Sequence, residues 1–267
     1  MHVFQHAILT HGGAGSDPIH SDGPELAATA GINLMKGHGT SLDAVIHAVT
    51  FLEDDPRFNA GTGSQIRADQ HTIQMDAACM TSDGNFGAVA CVEGIQNPIA
   101  LAQEVLRDSS CILISGEGAL IFAKEKNLTL KTPNATTQHK TTNTASCDTV
   151  GAVAFDGTSF AAALSSGGLK NAPLGRVGDV PLPGCGLFCG PIAAIACTGD
   201  GEFIALKILA REVYSWLEQG MEPNDAAEKA LSIFEDSVDI GLIILTKNAY
   251  ALKSRNGMAS SHQTDIR

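Results

Sequence analysis

Positive charge is scarce in this chain: 17 lysines and arginines face 29 aspartates and glutamates, for a net charge of −12. That balance speaks against nucleic acid and against anionic membrane surfaces as partners. It leaves a small acidic substrate open, because one local arginine outweighs a distant mean field. No apolar run is long enough to span a bilayer, and residues 1–5 lack the basic-then-apolar order of a secretory leader. Charged residues are only 17% of the total, against 44% hydrophobic residues and 28 glycines, a globular and not a disordered composition. The seven cysteines are an odd number and sit within or beside apolar runs (Cys79, Cys91, Cys111, Cys197), as reduced thiols of a cytoplasmic protein would. Cys185 and Cys189 lack a second Cys/His pair at ligand spacing, which argues against zinc. At this length the chain can bury a substantial core.

Periodicity supplies an outline. Ala7 to Thr10 reads as a short strand ending at the loop His11-Gly12-Gly13-Ala14-Gly15, which lacks the lysine and hydroxyl of a phosphate-binding loop. Helices are expected over 23–36 and from Thr40 or Ser41 onward, with Leu42, Val45, Val49 and Leu52 on one side. Strands are expected over 65–77 and 85–92, a helix from Pro98, a strand over 112–114 and a helix over 118–126. Residues 131–146 are rich in Thr, Asn and Gln without an apolar period, the pattern of a mobile linker. Beyond it come a hairpin (150–154 and 159–164), a Gly/Pro-bearing loop to Asp179, a strand over 192–197, a long helix over 202–219, a helix capped by Asn224, and strands over 240–246 and 250–252. Periodicity alone supports α/β or α+β.

The stretch Cys147-Asp148-Thr149-Val150-Gly151-Ala152-Val153-Ala154 stands out. A polar segment runs into a threonine that opens a buried strand. Taken alone, Asp148-Thr149 is also an ordinary loop–strand junction. If the bond between them breaks, however, Thr149 carries a hydroxyl nucleophile and a free α-amino base on one residue. Such an amine has a pKa of roughly 7.7–8.0, so a useful fraction is neutral near pH 7.

Downstream lie Ser165-Ser166-Gly167-Gly168, Gly175-Arg176-Val177-Gly178-Asp179 and Cys197-Thr198-Gly199-Asp200-Gly201-Glu202. Together with the His11 loop, these motifs closely resemble the plant-type asparaginase/isoaspartyl peptidase family, N-terminal-nucleophile (Ntn) hydrolases that cut themselves to expose a threonine. The likeness runs from about residue 8 to 258. It implies one domain over 1–267 with a four-layer αββα sandwich of mostly antiparallel sheets, cut into 1–148 and 149–267. It implies hydrolysis of L-asparagine and β-aspartyl dipeptides with no catalytic cofactor, by a homodimer of cut protomers. Thr149 would be the nucleophile, assisted by Ser166, with Thr198 and Gly199 forming the oxyanion hole. Arg176 would grip the substrate α-carboxylate and Asp179 its α-ammonium, Gly201 would admit the substrate close to the main chain, and Asn59 would sit near the nucleophile. The family's carbonyl-lined sodium loop maps onto Leu52, Glu53, Asp55, Phe58, Ala60 and Thr62 as a structural site, stiffening the loop that carries Asn59.

This chain departs from the family at Ser166, where threonine is usual, and at Cys147, where histidine is common. Serine keeps the hydroxyl but loses the methyl that fixes its rotamer. The rival readings are a glycosylasparaginase with the same machinery, a broader threonine endopeptidase, and an uncut relative serving as a binding or assembly subunit.

Overall fold

The computed structural model describes residues 3–108, 110–131 and 149–266. The bond Asp148–Thr149, Cys147 and almost all of the expected linker lie outside the described residues. In chain order the elements are β1 (Phe4–Ala14), α1 (Asp22–Lys36), α2 (Ser41–Asp54), β2 (Met75–Thr81), β3 (Phe86–Val92), α3 (Pro98–Arg107), β4 (Leu113–Ser115) and α4 (Gly116–Glu125). After Thr149 follow β5 (Val150–Phe155), β6 (Phe160–Ser166), β7 (Leu187–Gly190), β8 (Ala193–Gly199), α5 (Gly201–Lys207), α6 (Leu209–Glu218), α7 (Pro223–Ser232), β9 (Ile240–Thr246), β10 (Tyr250–Ser254) and β11 (Met258–Ile266).

Two sheets form. The larger has the order β11-β1-β5-β6-β2-β3-β4, antiparallel except for the β3–β4 pair, and the smaller has the order β10-β9-β8-β7, antiparallel throughout. The core divides into three apolar layers. Ile8, Val45, Val49, Ala152 and Ala163 pack the inner sides of α1, α2 and α3 onto the large sheet. Leu9, Val153, Leu164, Ala196 and Ile243 fill the space between the sheets. Ile195, Val213, Trp216, Ala227 and Ile244 join α6 and α7 to the outer face of the small sheet. The result is the expected αββα sandwich. β5, β6 and β8 are buried on both faces, which is why they read as unbroken runs of small and branched residues and not as alternating ones. No helix among the described residues is long and apolar enough to cross a membrane.

Four local expectations change. The His-Gly-Gly stretch is not a loop: β1 continues through it to Ala14, with a register irregularity between His11 and Ala14. The strand expected over 65–77 begins only at Met75, because the residues before it close a turn. Arg67 N–H bonds the Thr72 carbonyl, while the Asp69 carboxylate accepts from the N–H groups of His71 and Thr72. The long helix breaks at Ile208, which sits at φ 48°, because α6 starts afresh with the N–H groups of Ala210 and Arg211 donating to the carbonyls of Cys185 and Gly184. Asn224 does not cap α7: Glu222 takes the cap position, with Pro223 in the first turn.

Candidate active site

Thr149 stands at the head of β5, 5% exposed. Its Oγ1 donates to the Ser166 Oγ at 3.2 Å, and the same Ser166 oxygen accepts the Gly168 N–H at 3.1 Å. Ser166 ends β6, so the hydroxyl pair lies where two neighbouring strands finish side by side, one residue beyond the pair Val150–Ser165. The Gly167–Gly168 turn that follows is locked by Asn59. Its Nδ2 donates to the Gly168 carbonyl at 2.7 Å, its carbonyl accepts the Gly167 N–H at 2.8 Å, and its Oδ1 accepts the Gln65 N–H at 3.1 Å. Asn59 thus acts on the site by shaping the backbone beside Ser166.

The pocket in front of Thr149 is lined by Asn59, Ser166, Arg176, Asp179, Gly199 and Gly201 among others. Of the anticipated residues around the nucleophile, only Thr198 is absent from its wall. Thr198 is fully buried, accepting the Ala14 N–H at 3.1 Å and reaching the Thr149 carbonyl at 3.5 Å. Its hydroxyl ties β1 to Thr149 at the head of β5, and Gly199 beside it lines the pocket.

The two charges expected to hold a substrate take different surroundings. The Arg176 guanidinium makes a two-pronged ion pair with Glu202, Nε at 2.9 Å and Nη2 at 2.7 Å. Its side chain is 13% exposed and that of Glu202 is 55% exposed. The hydrogen bond to Arg176 holds Glu202 below the usual carboxylate range. Asp179 is buried, and its Oδ2 has no hydrogen bond to the protein. Burial pushes its carboxyl up to about 7, against the pull of its own main-chain N–H and of Arg176. Gly201 is required here, since a Cβ at this position would fall 2.6 Å from Asp179 Oδ1 and 3.1 Å from Arg176 Nη2.

Behind Thr149 lies His11, fully buried, with neither ring nitrogen in a hydrogen bond of ordinary geometry. It pairs with Gly151 on β5, where a Cβ would fall 2.3 Å from the ring. Burial lowers the imidazole to about 3, with the Thr149 main chain pulling the other way, so the ring is neutral at working pH.

The loop onto which the family resemblance maps a sodium ion offers main-chain carbonyls, a donor type that suits a hard cation. Main-chain oxygens crowd Gly61 and Gly63: a Cβ on Gly61 would fall 2.5 Å from the Glu53 oxygen, and one on Gly63 would fall 2.0 Å from the Phe58 oxygen and 2.8 Å from the Pro56 oxygen. Leu52, Asp55, Phe58 and Ala60 also close the turn by accepting the N–H groups of Asp55, Phe58, Ala60 and Gly63. The Glu53 side chain turns the other way, its Oε1 accepting the Ile99 N–H at the start of α3 at 2.9 Å, and burial raises its carboxyl to about 8. Cys185 and Cys189, in a turn and on β7, are both buried, and burial raises both thiols.

Sequence reasoning missed Glu202 as the partner of Arg176, and it missed Asp76 and Arg67. Asp76 carried a signal, being the one charge in the otherwise apolar strand Met75–Thr81. Arg67 carried none, since it lies in a polar stretch without a period.

Comparison with known proteins places these features in a family context. The family model described as Asparaginase matches residues 4–144 and 129–265. The chain is 37% identical over 261 residues to a plant-type L-asparaginase of Thermococcus kodakarensis, covering 85% of this chain and 84% of that one. It is 38% identical over 267 residues to an isoaspartyl peptidase/L-asparaginase of Rattus norvegicus, covering 90% and 80%. A plant-type L-asparaginase of Pyrococcus horikoshii is 32% identical over 296 residues, covering 97% and 96%.

Proposed function

The chain belongs to the asparaginase family, and from that premise we propose that it hydrolyses the side-chain amide of L-asparagine and the isopeptide bond of β-aspartyl dipeptides, using Thr149 as nucleophile. The observation that carries this reading is the Thr149 hydroxyl, held against Ser166 at the rim of a pocket that also contains Arg176 and Asp179.

The chain first cuts itself. Thr149 Oγ1 attacks the Asp148 carbonyl and its proton passes to the amide nitrogen, so the peptide bond gives way to an ester and the Thr149 amine is freed. Water then hydrolyses that ester, releasing residues 1–148 and restoring the hydroxyl. In turnover that amine takes the hydroxyl proton as Oγ1 adds to the substrate's β-carbonyl carbon. The tetrahedral oxyanion is met by the N–H of Gly199, which lines the pocket, and by the Thr198 hydroxyl once it turns from the Thr149 carbonyl that it reaches in the resting site. Losing one such donor costs about 2.7–4 kcal/mol of transition-state stabilisation. Collapse expels ammonia or the leaving amino acid, which takes back the proton. Water then hydrolyses the Thr149 ester to release aspartate. Arg176 offers its planar fork to the α-carboxylate, and Asp179, ionised, pairs with the α-ammonium.

The carbonyls of Leu52, Glu53, Asp55, Phe58, Ala60 and Thr62 would hold a sodium ion whose contribution is to stiffen the loop behind Asn59. The active unit is a homodimer of cut protomers in the cytosol. Exposed Phe203, Leu206 and Ile208, on and after α5, offer it apolar surface, and the buried free thiols suit a reducing compartment. Sedimentation at micromolar concentration should give the dimer mass, and a monomer alone would contradict this. Activity is tested by aspartate release from L-asparagine and β-aspartyl-leucine. Release from neither substrate by cut wild-type protein would overturn the reading.

A further inference from the structure

Two buried charges, Asp76 in the pocket wall and Arg67 outside it, are used by none of the chemistry above. Arg67 is fully buried in the turn before β2, and Asp76 is 1% exposed at the second position of β2. They interact as opposite charges. A buried charge is costly, and it is retained where something depends on its direction.

What these two adjoin is the Arg176 segment. Arg67 Nη2 donates to the Gln74 carbonyl at 2.8 Å and reaches the Arg176 carbonyl at 3.4 Å. Asp76 Oδ1 accepts the Cys91 N–H at 2.8 Å, and the Gly178 N–H acts on the same carboxylate. The Cys91 thiol lies 3.6 Å from the Arg176 carbonyl, joining the two contacts. Gly178 is the platform of the guanidinium, since a Cβ there would fall 2.9 Å from Arg176 Nη1. The main chain is therefore held at Arg176 by Arg67, while Asp76 lines the pocket together with Gly178.

Sheet register links this grip to the nucleophile. Asp76 pairs with Ser166 across β2 and β6, and Val150 pairs with Ser165 across β5 and β6. Thr149, Ser166 and Asp76 therefore stand in one row at the same end of three adjacent strands. Directly opposed residues on neighbouring strands share a face, so a shift in one is felt by the next.

We infer that Arg67 and Asp76 are positioning residues: they fix the reach of the Arg176 guanidinium relative to the Thr149 hydroxyl and so make the pocket select a free α-carboxylate. This rests on the reading that Arg176 takes that carboxylate.

The test compares L-asparagine with asparagine amide on cut enzyme, for wild type, Asp76→Asn and Arg67→Lys. Wild type should reject the amide. Asp76→Asn keeps the size of the side chain and removes the charge. It should raise KM for L-asparagine by about ten-fold, with kcat within about two-fold, and narrow the preference for the free carboxylate. Arg67→Lys keeps a counter-charge but loses the fork that reaches the Arg176 carbonyl, and it should move KM in the same direction. Should Asp76→Asn not fold, Arg67→Lys alone decides. Unchanged KM and preference in the folded variants, with only a lower melting temperature, would overturn the inference and leave the Arg176 clamp standing. A wild type that turns over the amide as fast as asparagine would overturn the clamp itself, and the inference with it.

Discussion

The Thr149 hydroxyl donates to the Ser166 hydroxyl across 3.2 Å, and Ser166 is fixed in turn by the Gly168 N–H. On the proposed mechanism Ser166 orients the nucleophile and takes no part in binding the substrate carboxylate. Ser166→Ala should lower kcat by about ten-fold or more, the worth of one hydrogen bond to the reacting group, and leave KM nearly unchanged. Ser166→Thr should match or exceed wild type. Steady-state kinetics on L-asparagine decide, and a KM effect without a kcat effect would count against this role.

Arg176 and Glu202 give a graded pair of expectations. Glu202 is half exposed, so its ion pair is worth no more than about 1 kcal/mol, and Glu202→Ala should raise KM by no more than about five-fold. Arg176→Lys keeps the charge and loses the two-pronged geometry, so its effect on KM should be clearly larger. Equal effects would mean that the guanidinium does no more than pair with Glu202.

Asp179 sets an acid limb. Burial raises its carboxyl to about 7, and only the ionised form pairs with a substrate ammonium. kcat/KM should fall as pH drops below about 7, following the free enzyme. Asp179→Asn should lose most activity and leave only the limb set by the Thr149 amine. A flat profile between pH 5 and 8 in wild type would contradict the assignment.

Two buried groups shape stability with opposite signs. His11 is neutral in the fold, lowered from 6.5 to about 3 by burial. Its unfolded form takes up a proton first, so stability is present above 6.5 and is lost as pH falls from there toward about 3. Glu53 is raised from 4.5 to about 8. Its unfolded form ionises first, so stability is greatest below 4.5 and declines as pH rises toward about 8. Glu53→Gln should gain melting temperature relative to wild type at pH 8 and gain less at pH 5. The same difference at both values would show that Glu53 is ionised in the fold.

The parts legible in sequence were those with local causes. The junction of a polar stretch with a strand of small and branched residues drew attention to Thr149, but only the downstream family motifs gave it a role. The αββα layering likewise came from the family likeness, since the periods alone supported α/β or α+β. The last strand, Met258–Ile266, stayed hidden because it is a polar edge strand paired only with β1 and carries no apolar alternation. The break at Ile208 was invisible because its cause is 23 to 24 residues away in sequence, in the carbonyls of Gly184 and Cys185. Arg67 and Asp76 matter through the strand they face and the segment they hold, which only the register of β2 against β6 reveals.

The central claim is that Thr149 acts first on its own chain and then on substrate. Intact mass of the purified protein measures the first step directly. Wild type should give two pieces, 1–148 and 149–267, and Thr149→Ala should remain a single chain with no aspartate release. A Thr149→Ala protein that still divides between Asp148 and residue 149 would contradict the account, as would a wild type that hydrolyses L-asparagine while its chain remains whole.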